Sequence, residues 1–179
     1  MEHSIRLLNN LFGLLLVVFL VNTVTTVKFS AIKDITRPQS YVSVNDVDKT
    51  LGCLAMNVYR EAGNESFEGK VAVAQVTLNR VNDRRFPKDV CGVVYQKNLI
   101  MEKVVCQFSW HCDGVQKSRP INNDMYRESY AVAKKVLLEG FRLDMLESAL
   151  FYHAVYVSPN WPYEKIGKIG NHIFYKART

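Results

Sequence analysis

Residues 59–81 read YREAGNESFEGKVAVAQVTLNRV, which describes the end of one helix, a break and a second helix. Gly63 and Asn64 form a typical helix stop. Ser66 is then a suitable N-cap, because its hydroxyl oxygen can accept a hydrogen bond from an unpaired amide of the first turn. The second helix has an apolar stripe that further valines widen, so we expect it to be well buried. The stripe and its extension comprise Phe67, Val71, Ala74, Leu78 and Val81, with Val73 and Val76.

The preceding helix is predicted to begin near residue 46, where Ser43 or Asn45 can act as the N-cap. Asp46 and Asp48 lie near its N-terminus, where the helix dipole favours carboxylates. Apolar residues recur at helical spacing and give this helix one apolar face. These residues are Val47, Leu51, Leu54, Ala55, Val58 and Ala62.

Weaker patterns follow, and the whole predicts a mainly helical α+β domain. Residues 89–96 suit one or two helical turns, residues 111–123 read as a polar loop, and a third helix runs from about residue 123 to 139. Residues 149–157 and 169–176 are rich in β-branched and aromatic side chains, which predicts two paired strands in a small sheet.

An apolar leader precedes this domain. No charged side chain occurs from Leu11 to Val27, a length that suits a signal peptide or a short membrane span. Because no good cleavage site follows, three interpretations stay open: a removed signal, an uncleaved anchor, and an anchor that can leave the membrane. The basic residues after the leader do not favour export by the positive-inside rule, but a leading apolar segment usually indicates it.

The predicted organisation is a signal or anchor segment at residues 1–28, a linker at 29–45 and one functional domain at 46–179. We expect that domain to be exported across the cytoplasmic membrane, either periplasmic or secreted and either free or attached to the membrane through the leader. With 179 residues and 48% hydrophobic content, the chain can form one domain with a core.

A net charge of +6 favours an acidic partner such as nucleic acid, anionic lipid or anionic cell wall. The leader and a set of cysteines that can pair argue against a cytosolic nucleic-acid binder. The sequence has no Walker loop and no G-x-G-x-x-G, G-x-S-x-G or H-E-x-x-H motif, so we expect no metal and no cofactor. We also expect a monomer.

The four cysteines fit an exported domain with up to two disulfides, and the sequence alone allows three pairings. The residues are Cys53, Cys91, Cys106 and Cys112. A zinc site is the alternative, because two of them flank His111, although no C-x-x-C pair supports it.

Glu61 is the candidate general acid, the group that would donate a proton to a leaving oxygen. It lies at the end of an apolar helix beside a glycine turn, so it can reach a cleft and still be shielded, and burial raises the pKa of a carboxyl group towards neutrality. A surface glutamate is the alternative.

Glu65 either starts the turn or braces the next helix. His153 and His172 are either hydrogen-bonding partners of a ligand or structural. Late aromatic residues either stack on sugar faces or belong to the core: Phe108, Trp110, Phe151, Tyr152, Tyr156, Trp161, Phe174 and Tyr175.

Nine short blocks in order along the chain, among them YREAGNE (59–65) and CQFSW (106–110), resemble the cell wall hydrolases related to spore-cortex-lytic enzymes. The resemblance covers about residues 47–176, and its most specific blocks are YREAGNE and CQFSW. One departure is that the family's common Glu-Ala-Arg-Gly-Glu reads here Glu-Ala-Gly-Asn-Glu, so the turn between the two glutamates differs. The blocks are YREAGNE (59–65), EGKVAVAQV (68–76), LNRV (78–81), FP (86–87), VCGVVYQ (90–96), CQFSW (106–110), YHA (152–154), PNW (159–161) and IGNHIFY (169–175).

The resemblance implies a lysozyme-like fold related to lytic transglycosylases, with Glu61 as the catalytic acid. It also implies that Cys91 pairs with Cys106, which leaves Cys53 and Cys112 as a second bridge or as free thiols. The residues expected to bind substrate are Glu65, Gln107, Phe108, Ser109, Trp110, Tyr152, His153, Trp161 and His172.

The implied substrate is the glycan strand of peptidoglycan, cut between N-acetylmuramic acid and N-acetylglucosamine with a 1,6-anhydro product. A hydrolytic muramidase on the same scaffold and a non-catalytic peptidoglycan-binding protein are the alternatives. A phage lysis enzyme and a bacterial wall-remodelling enzyme both fit this expectation.

Overall fold

The structure is a computed structural model that describes residues 43–178. The predicted leader and most of the predicted linker lie outside these residues. Helix α1 (Val44–Ala62) begins after the Ser43 N-cap, whose hydroxyl oxygen accepts a hydrogen bond from the Asp46 amide. No helix between residues 43 and 178 is long and apolar enough to cross a membrane.

Helix α2 (Phe67–Asn82) follows the break at Gly63, and Ser66 caps it as predicted, since its hydroxyl oxygen accepts from the Gly69 amide. Every residue from Gly69 to Leu78 is buried, so α2 is enclosed on all faces. This burial confirms the expectation drawn from its widened apolar stripe.

Polar side chains of α2 hold the chain that leads into the sheet. The Gln75 amide donates to the Leu143 carbonyl at 3.1 Å and accepts from the Leu143 amide at 2.8 Å. The Asn79 amide donates to the carbonyls of Leu146 at 2.8 Å and Ala149 at 2.9 Å. Because these groups are wholly or partly buried, their hydrogen bonds offset the cost of removing them from water.

Helix α6 (Asn123–Leu138) packs against α1 and α2, and the main core lies among these three helices. Asn57 crosses this core: its amide donates to the Thr77 hydroxyl at 3.2 Å and accepts from the Trp110 indole at 3.1 Å. The predicted third helix is confirmed, and it ends one residue earlier than expected.

Three short helices and one 3₁₀ turn connect the main elements. The predicted turns at 89–96 contain α3 (Val90–Val94), and the polar stretch 111–123 contains the short helix α5 (Gly114–Ser118). Asp113 caps α5 because its carboxylate accepts from the amides of the first turn at 2.9 and 3.2 Å. The other short elements are α4 (Ser109–Cys112), α5 (Gly114–Ser118) and the 3₁₀ turn η1 (Asp144–Leu146).

A three-stranded antiparallel sheet follows, with β5 (His172–Lys176) between β3 (Phe151–Ala154) and β4 (Glu164–Ile169). The two predicted strands are β3 and β5, and they pair directly. Strand β4 escaped prediction because three of its six residues are charged and its register is irregular between Lys165 and Gly167. The mainly helical α+β fold is confirmed.

A separate hairpin, β1 (Lys97–Ile100) and β2 (Lys103–Cys106), was not predicted. Its turn residues Met101 and Glu102 both adopt positive φ, at 46° and 65°. Such turns are normally signalled by Asn-Gly or Asp-Gly, so these two side chains gave no hint of it.

The disulfide pairing implied by the resemblance is wrong. Cys53 bonds to Cys91 and Cys106 bonds to Cys112, so the zinc alternative also fails because all four sulfurs are committed. Helix α1 packs against α3, which brings Cys53 to Cys91 with a Cα separation of 5.3 Å. The helical turn of α4 folds Cys112 back towards the end of β2, 5.7 Å from Cys106 between Cα atoms.

The two bridges should differ in their effect on stability. Cys53–Cys91 closes a span of 38 residues and Cys106–Cys112 one of only 6. On the chain-entropy account, replacing both cysteines of the long bridge by alanine costs about 4 kcal/mol, against about 2 kcal/mol for the short one. Urea unfolding of the two double variants measures this, and an equal or reversed order would contradict the account.

Candidate active site

A cavity of about 580 Å³ opens where helix α1 ends. The chain contributes residues 59–65 from the end of α1 and its break, residues 154–156 from the end of β3, and residues 171–172 from the start of β5. The remaining lining comes mainly from the segment 113–122, which carries α5 and leads into α6. Its size and mixed lining suit a small-ligand or sugar-binding cleft.

Glu61 lies in the last turn of α1 and lines this cleft. Its Oε2 atom accepts a hydrogen bond from the Tyr152 hydroxyl at 3.0 Å. Burial raises the pKa of Glu61 above its usual 4.5, and the Tyr152 hydrogen bond and the charge of Arg80 oppose the rise without cancelling it. The cleft therefore contains a carboxyl group that holds its proton more strongly than an ordinary glutamate.

Tyr152 comes from β3 and faces inward. Burial raises the pKa of its hydroxyl well above the usual 10, so Tyr152 stays protonated and donates to Glu61. Its ring meets the His172 ring edge-on with centroids 5.2 Å apart. Strand β3 thus supplies a fixed donor to the carboxyl group of α1.

Arg80 is a buried cation behind this pair. Its side chain is 3% exposed, and Nε donates to the Leu150 carbonyl at 2.8 Å, while Nη1 has no partner among residues 43–178. The guanidinium carbon lies 5.1 Å from the Phe108 ring centroid and 6.0 Å from that of Tyr152. Burial lowers the pKa of Arg80, but the group remains charged and stabilises negative charge on Glu61.

Glu65 lines the same cleft, but its carboxylate is already engaged. Oε2 accepts from the Asn171 backbone amide and Oε1 from the Asn171 side-chain amide, both at 3.0 Å. Gly170, with φ of +56°, lets the β4–β5 turn approach so closely that an added Cβ would lie 2.1 Å from Oε2. Glu65 therefore ties the break after α1 to the β4–β5 turn, whereas the sequence suggested that it either starts the turn after α1 or braces the next helix.

His172 also lines the cleft. The residue is 7% exposed, and its Nδ1 atom is buried without a hydrogen-bond partner among residues 43–178. Burial lowers the pKa of its imidazole, so the ring is uncharged at neutral pH. His172 can therefore offer the cleft an uncharged imidazole edge.

The block 107–110 does not line the cleft. Phe108 and Trp110 are core residues, 3% and 4% exposed, while Gln107 is partly buried and Ser109 exposed. Phe108 packs under the guanidinium of Arg80, and Trp110 donates to Asn57. These two aromatic residues support the site from behind, so direct stacking on a sugar in this cleft is not their role.

His153 and Trp161 lie outside the cleft because side chains alternate along β3. Tyr152 faces inward and His153 faces the other side, where its Nε2 lies 2.9 Å from the Tyr175 hydroxyl and its ring meets Trp161. Trp161 is 38% exposed in this outer aromatic cluster. Neither His153 nor Trp161 lines the cleft of Glu61.

Two residues just before Glu61 hold the segment 113–122 in place, and sequence reasoning did not single them out. Nη1 of Arg60 donates to the Gln116 carbonyl at 2.8 Å, and Nη2 donates to the Arg119 carbonyl at 3.2 Å. The Tyr59 hydroxyl accepts from the Asn122 amide at 2.9 Å. Their position in the sequence, directly before Glu61, was the feature that could have pointed to a role of Tyr59 and Arg60 at the site.

A model of the family described as Cell Wall Hydrolase matches residues 64–175. The chain belongs to this family. The match begins just after Glu61, so the role of that residue rests on its geometry and on the YREAGNE block. No cluster of His, Cys, Asp and Glu side chains suited to a metal ion occurs within residues 43–178.

Curated relatives include two spore cortex-lytic enzymes. That of Oceanobacillus iheyensis is 35% identical over 142 residues, 78% of this chain and 44% of the relative. That of Bacillus subtilis is 32% identical over 125 residues, 68% of this chain and 35% of the relative. This member of the cell wall hydrolase family thus spans less than half the length of these relatives.

Two solved structures are similar to this chain with a TM-score of 0.54 each. The catalytic domain of the Bacillus cereus SleB protein is 28% identical and is covered to 94% by 78% of this chain. The catalytic domain of a germination-specific lytic transglycosylase, SleB from Bacillus anthracis, is 30% identical and is covered to 99%. The expected lysozyme-like fold is confirmed.

The Tyr152→Phe variant tests whether the hydrogen bond from Tyr152 lowers the pKa of Glu61, which we call the coupling of the two residues. It removes the hydrogen bond that favours the charged form of Glu61, so the pKa of Glu61 should rise further. If Glu61 acts as an acid, the alkaline decline of kcat/KM moves to higher pH, and the maximal rate falls about tenfold because a hydrogen bond to the developing carboxylate is lost. A decline that moves to lower pH would refute the coupling.

The Glu61→Gln variant tests the burial of the acid through stability. Because the pKa of Glu61 is raised on folding, its contribution is fully present below about pH 4.5 and is lost as pH rises through the folded pKa. Glutamine cannot ionise, so the variant should gain stability relative to the parent between pH 4 and 8. Urea unfolding across this range measures the gain; exposed Glu68→Gln is the control that should show no such trend.

Proposed function

We propose that this chain cleaves the glycan strands of peptidoglycan at the β-1,4 bond between N-acetylmuramic acid and N-acetylglucosamine, as a lytic transglycosylase. One observation carries the proposal: the carboxyl group of Glu61 is shielded, has a raised pKa, and lines a cleft of about 580 Å³. A carboxylic acid of this kind can protonate a leaving glycosidic oxygen near neutral pH.

The reaction has two steps. Protonated Glu61 donates its proton to the glycosidic oxygen as the bond from that oxygen to C1 of the muramic acid breaks. The resulting carboxylate then accepts the proton of the C6 hydroxyl of the same sugar, and O6 bonds to C1 to close the 1,6-anhydro ring. Glu61 regains its proton and no water is consumed, so one carboxyl group serves both steps.

Tyr152 and Arg80 assist this cycle. The Tyr152 hydroxyl bonds to Oε2 of Glu61, and the charge of Arg80 acts on the same group through a buried, low-dielectric region. Both interactions are stronger when Glu61 is a carboxylate, which is the form that exists between the two steps. They therefore stabilise the charge that develops as the proton leaves.

A hydrolytic muramidase is the second candidate, because Glu65 is a second carboxylate in the same cleft. Two-carboxylate hydrolysis needs this group to activate water or to attack the sugar. Both of its oxygens accept hydrogen bonds from Asn171, which holds it in a bracing position. The similar Bacillus anthracis protein is a lytic transglycosylase, and this likeness and the engaged state of Glu65 favour the anhydro product.

The proposal includes an extracytoplasmic setting. Peptidoglycan lies outside the cytoplasmic membrane, and two disulfides suit an oxidising compartment. The predicted leader at residues 1–28 would deliver the domain there, either as a removed signal or as a membrane anchor. We propose that the domain acts as a monomer, as a phage lysis enzyme or a bacterial remodelling enzyme.

Digestion of purified peptidoglycan followed by mass spectrometry tests the proposal. The parent should release fragments that end in 1,6-anhydro-muramic acid, and Glu61→Gln should lower the rate at least a hundredfold, since it removes the acid while preserving shape. Reducing muramic ends without anhydro product would establish the muramidase instead.

Two controls accompany this digestion. Glu68→Gln makes the same chemical change on an exposed residue of α2 and should leave the rate unchanged. Binding of Glu61→Gln to the wall, measured by co-sedimentation, should equal that of the parent. A parent protein that binds the wall but releases no fragment would show a non-catalytic binding protein.

A further inference from the structure

Two basic residues among those that line the cleft, Arg60 and Arg119, differ in how they are used. Arg60 directs its guanidinium at backbone carbonyls of the segment 113–122. Arg119 is exposed, and its guanidinium forms no ion pair or hydrogen bond with any residue between 43 and 178. Within this part of the chain, Arg119 is therefore a cleft cation whose charge is left for a ligand.

The other ionisable groups of the cleft do not compensate this charge. Glu61 is shifted towards its uncharged form, and His172 is uncharged at neutral pH. Both carboxyl oxygens of Glu65 are bound by Asn171. Among the guanidinium and carboxyl groups that line the cleft, that of Arg119 is thus the one with no hydrogen-bond or ion-pair partner within residues 43–178.

The backbone that carries Arg119 is held firmly. The Arg119 carbonyl accepts from Arg60, and the Asn122 amide donates to Tyr59. At the other end, the Cys106–Cys112 disulfide anchors the chain just before Asp113 caps α5. The backbone on both sides of Arg119 is bonded to the end of α1, through Arg60 to the Gln116 carbonyl and through Tyr59 to the Asn122 amide. On binding, the Arg119 side chain therefore has to be ordered but its backbone does not.

We propose that Arg119 is a specificity residue that binds a carboxylate of the substrate, borne by N-acetylmuramic acid. This inference rests on the proposed function. The sugar rings and acetamido groups of a glycan strand are uncharged, so its negative charge lies on the lactyl arm of muramic acid or on the peptide attached to that arm. A guanidinium pairs with a carboxylate through two parallel hydrogen bonds, which fixes orientation as well as position.

Three substrates with the same glycan backbone separate the sources of this carboxylate. The first is intact peptidoglycan, the second is peptidoglycan freed of peptides by an amidase, which exposes the lactyl carboxylate, and the third is intact peptidoglycan whose carboxylates have been amidated. For the parent, kcat/KM on the amidated wall should be about tenfold below that on the intact wall, as expected for one charge-assisted contact at an accessible site.

Arg119→Gln should lose about tenfold on the intact wall and nothing on the amidated wall. Retained dependence on Arg119 with the peptide-free strands identifies the lactyl carboxylate as the ligand, and lost dependence identifies a peptide carboxylate. Arg119→Lys should retain part of the preference because it keeps the charge but not the paired geometry. Lys117→Gln, an equal change of charge on an exposed side chain of α5 outside the cleft lining, should behave as the parent.

Two results would overturn the inference. An equal loss for Arg119→Gln on intact and amidated walls would indicate a structural role, and an equal loss for Lys117→Gln would indicate general attraction by positive charge. Failure of the proposed function gives a different result: a non-catalytic parent would cleave none of the three substrates, and a muramidase would release reducing muramic ends without anhydro product. Co-sedimentation of Glu61→Gln, with and without Arg119→Gln, on the intact and amidated walls tests the carboxylate contact even then, since it requires binding and no cleavage.

Discussion

Enclosure of one carboxyl group, where helix α1 ends against strand β3, is the constraint on which the arrangement of this domain depends. Burial disfavours the charged form of Glu61, while Tyr152 and Arg80 favour it, and burial has the larger effect. A more complete desolvation would make the proton hard to release, and free exposure would leave an ordinary carboxylate. In the proposed function, this balance lets Glu61 give up its proton to the glycosidic oxygen, while Tyr152 and Arg80 stabilise the carboxylate that remains.

The surrounding fold holds this balance by linking distant parts of the chain. Gln75 and Asn79 of the buried helix α2 hold residues 143–149, which lead into β3 and so place Tyr152. The next residues of the same helix include Arg80, which is anchored to the Leu150 carbonyl. The LNRV block (78–81) therefore couples core packing to the candidate site, because Asn79 supports the chain that leads into β3 and Arg80 supplies the buried charge.

Much of this architecture could be predicted from sequence where local patterns are strong. Helices α1, α2 and α6, the caps at Ser43 and Ser66, and strands β3 and β5 follow from periodicity and capping. The β1–β2 hairpin could not be predicted because its turn lacks the usual Asn-Gly or Asp-Gly pair. Strand β4 could not be predicted because three of its six residues are charged. The disulfide pairing depends on tertiary contacts between α1 and α3, which spacing does not reveal.

Of the residues expected to act on substrate, Glu61, Glu65 and His172 line the cleft, and Tyr152 contacts Glu61 directly. Phe108 and Trp110 belong to the core, and His153 and Trp161 lie in the outer aromatic cluster, because aromatic residues near a cleft are often core or lie on the other sheet face. The enclosure of Glu61 is tested most directly by an NMR titration of its carboxyl carbon. The signal is assigned by comparison with Glu61→Gln, in which it is absent. We expect the pKa of Glu61 to lie clearly above the 4.5 of an ordinary glutamate, and a value at or below 4.5 would contradict the enclosure of this carboxyl group.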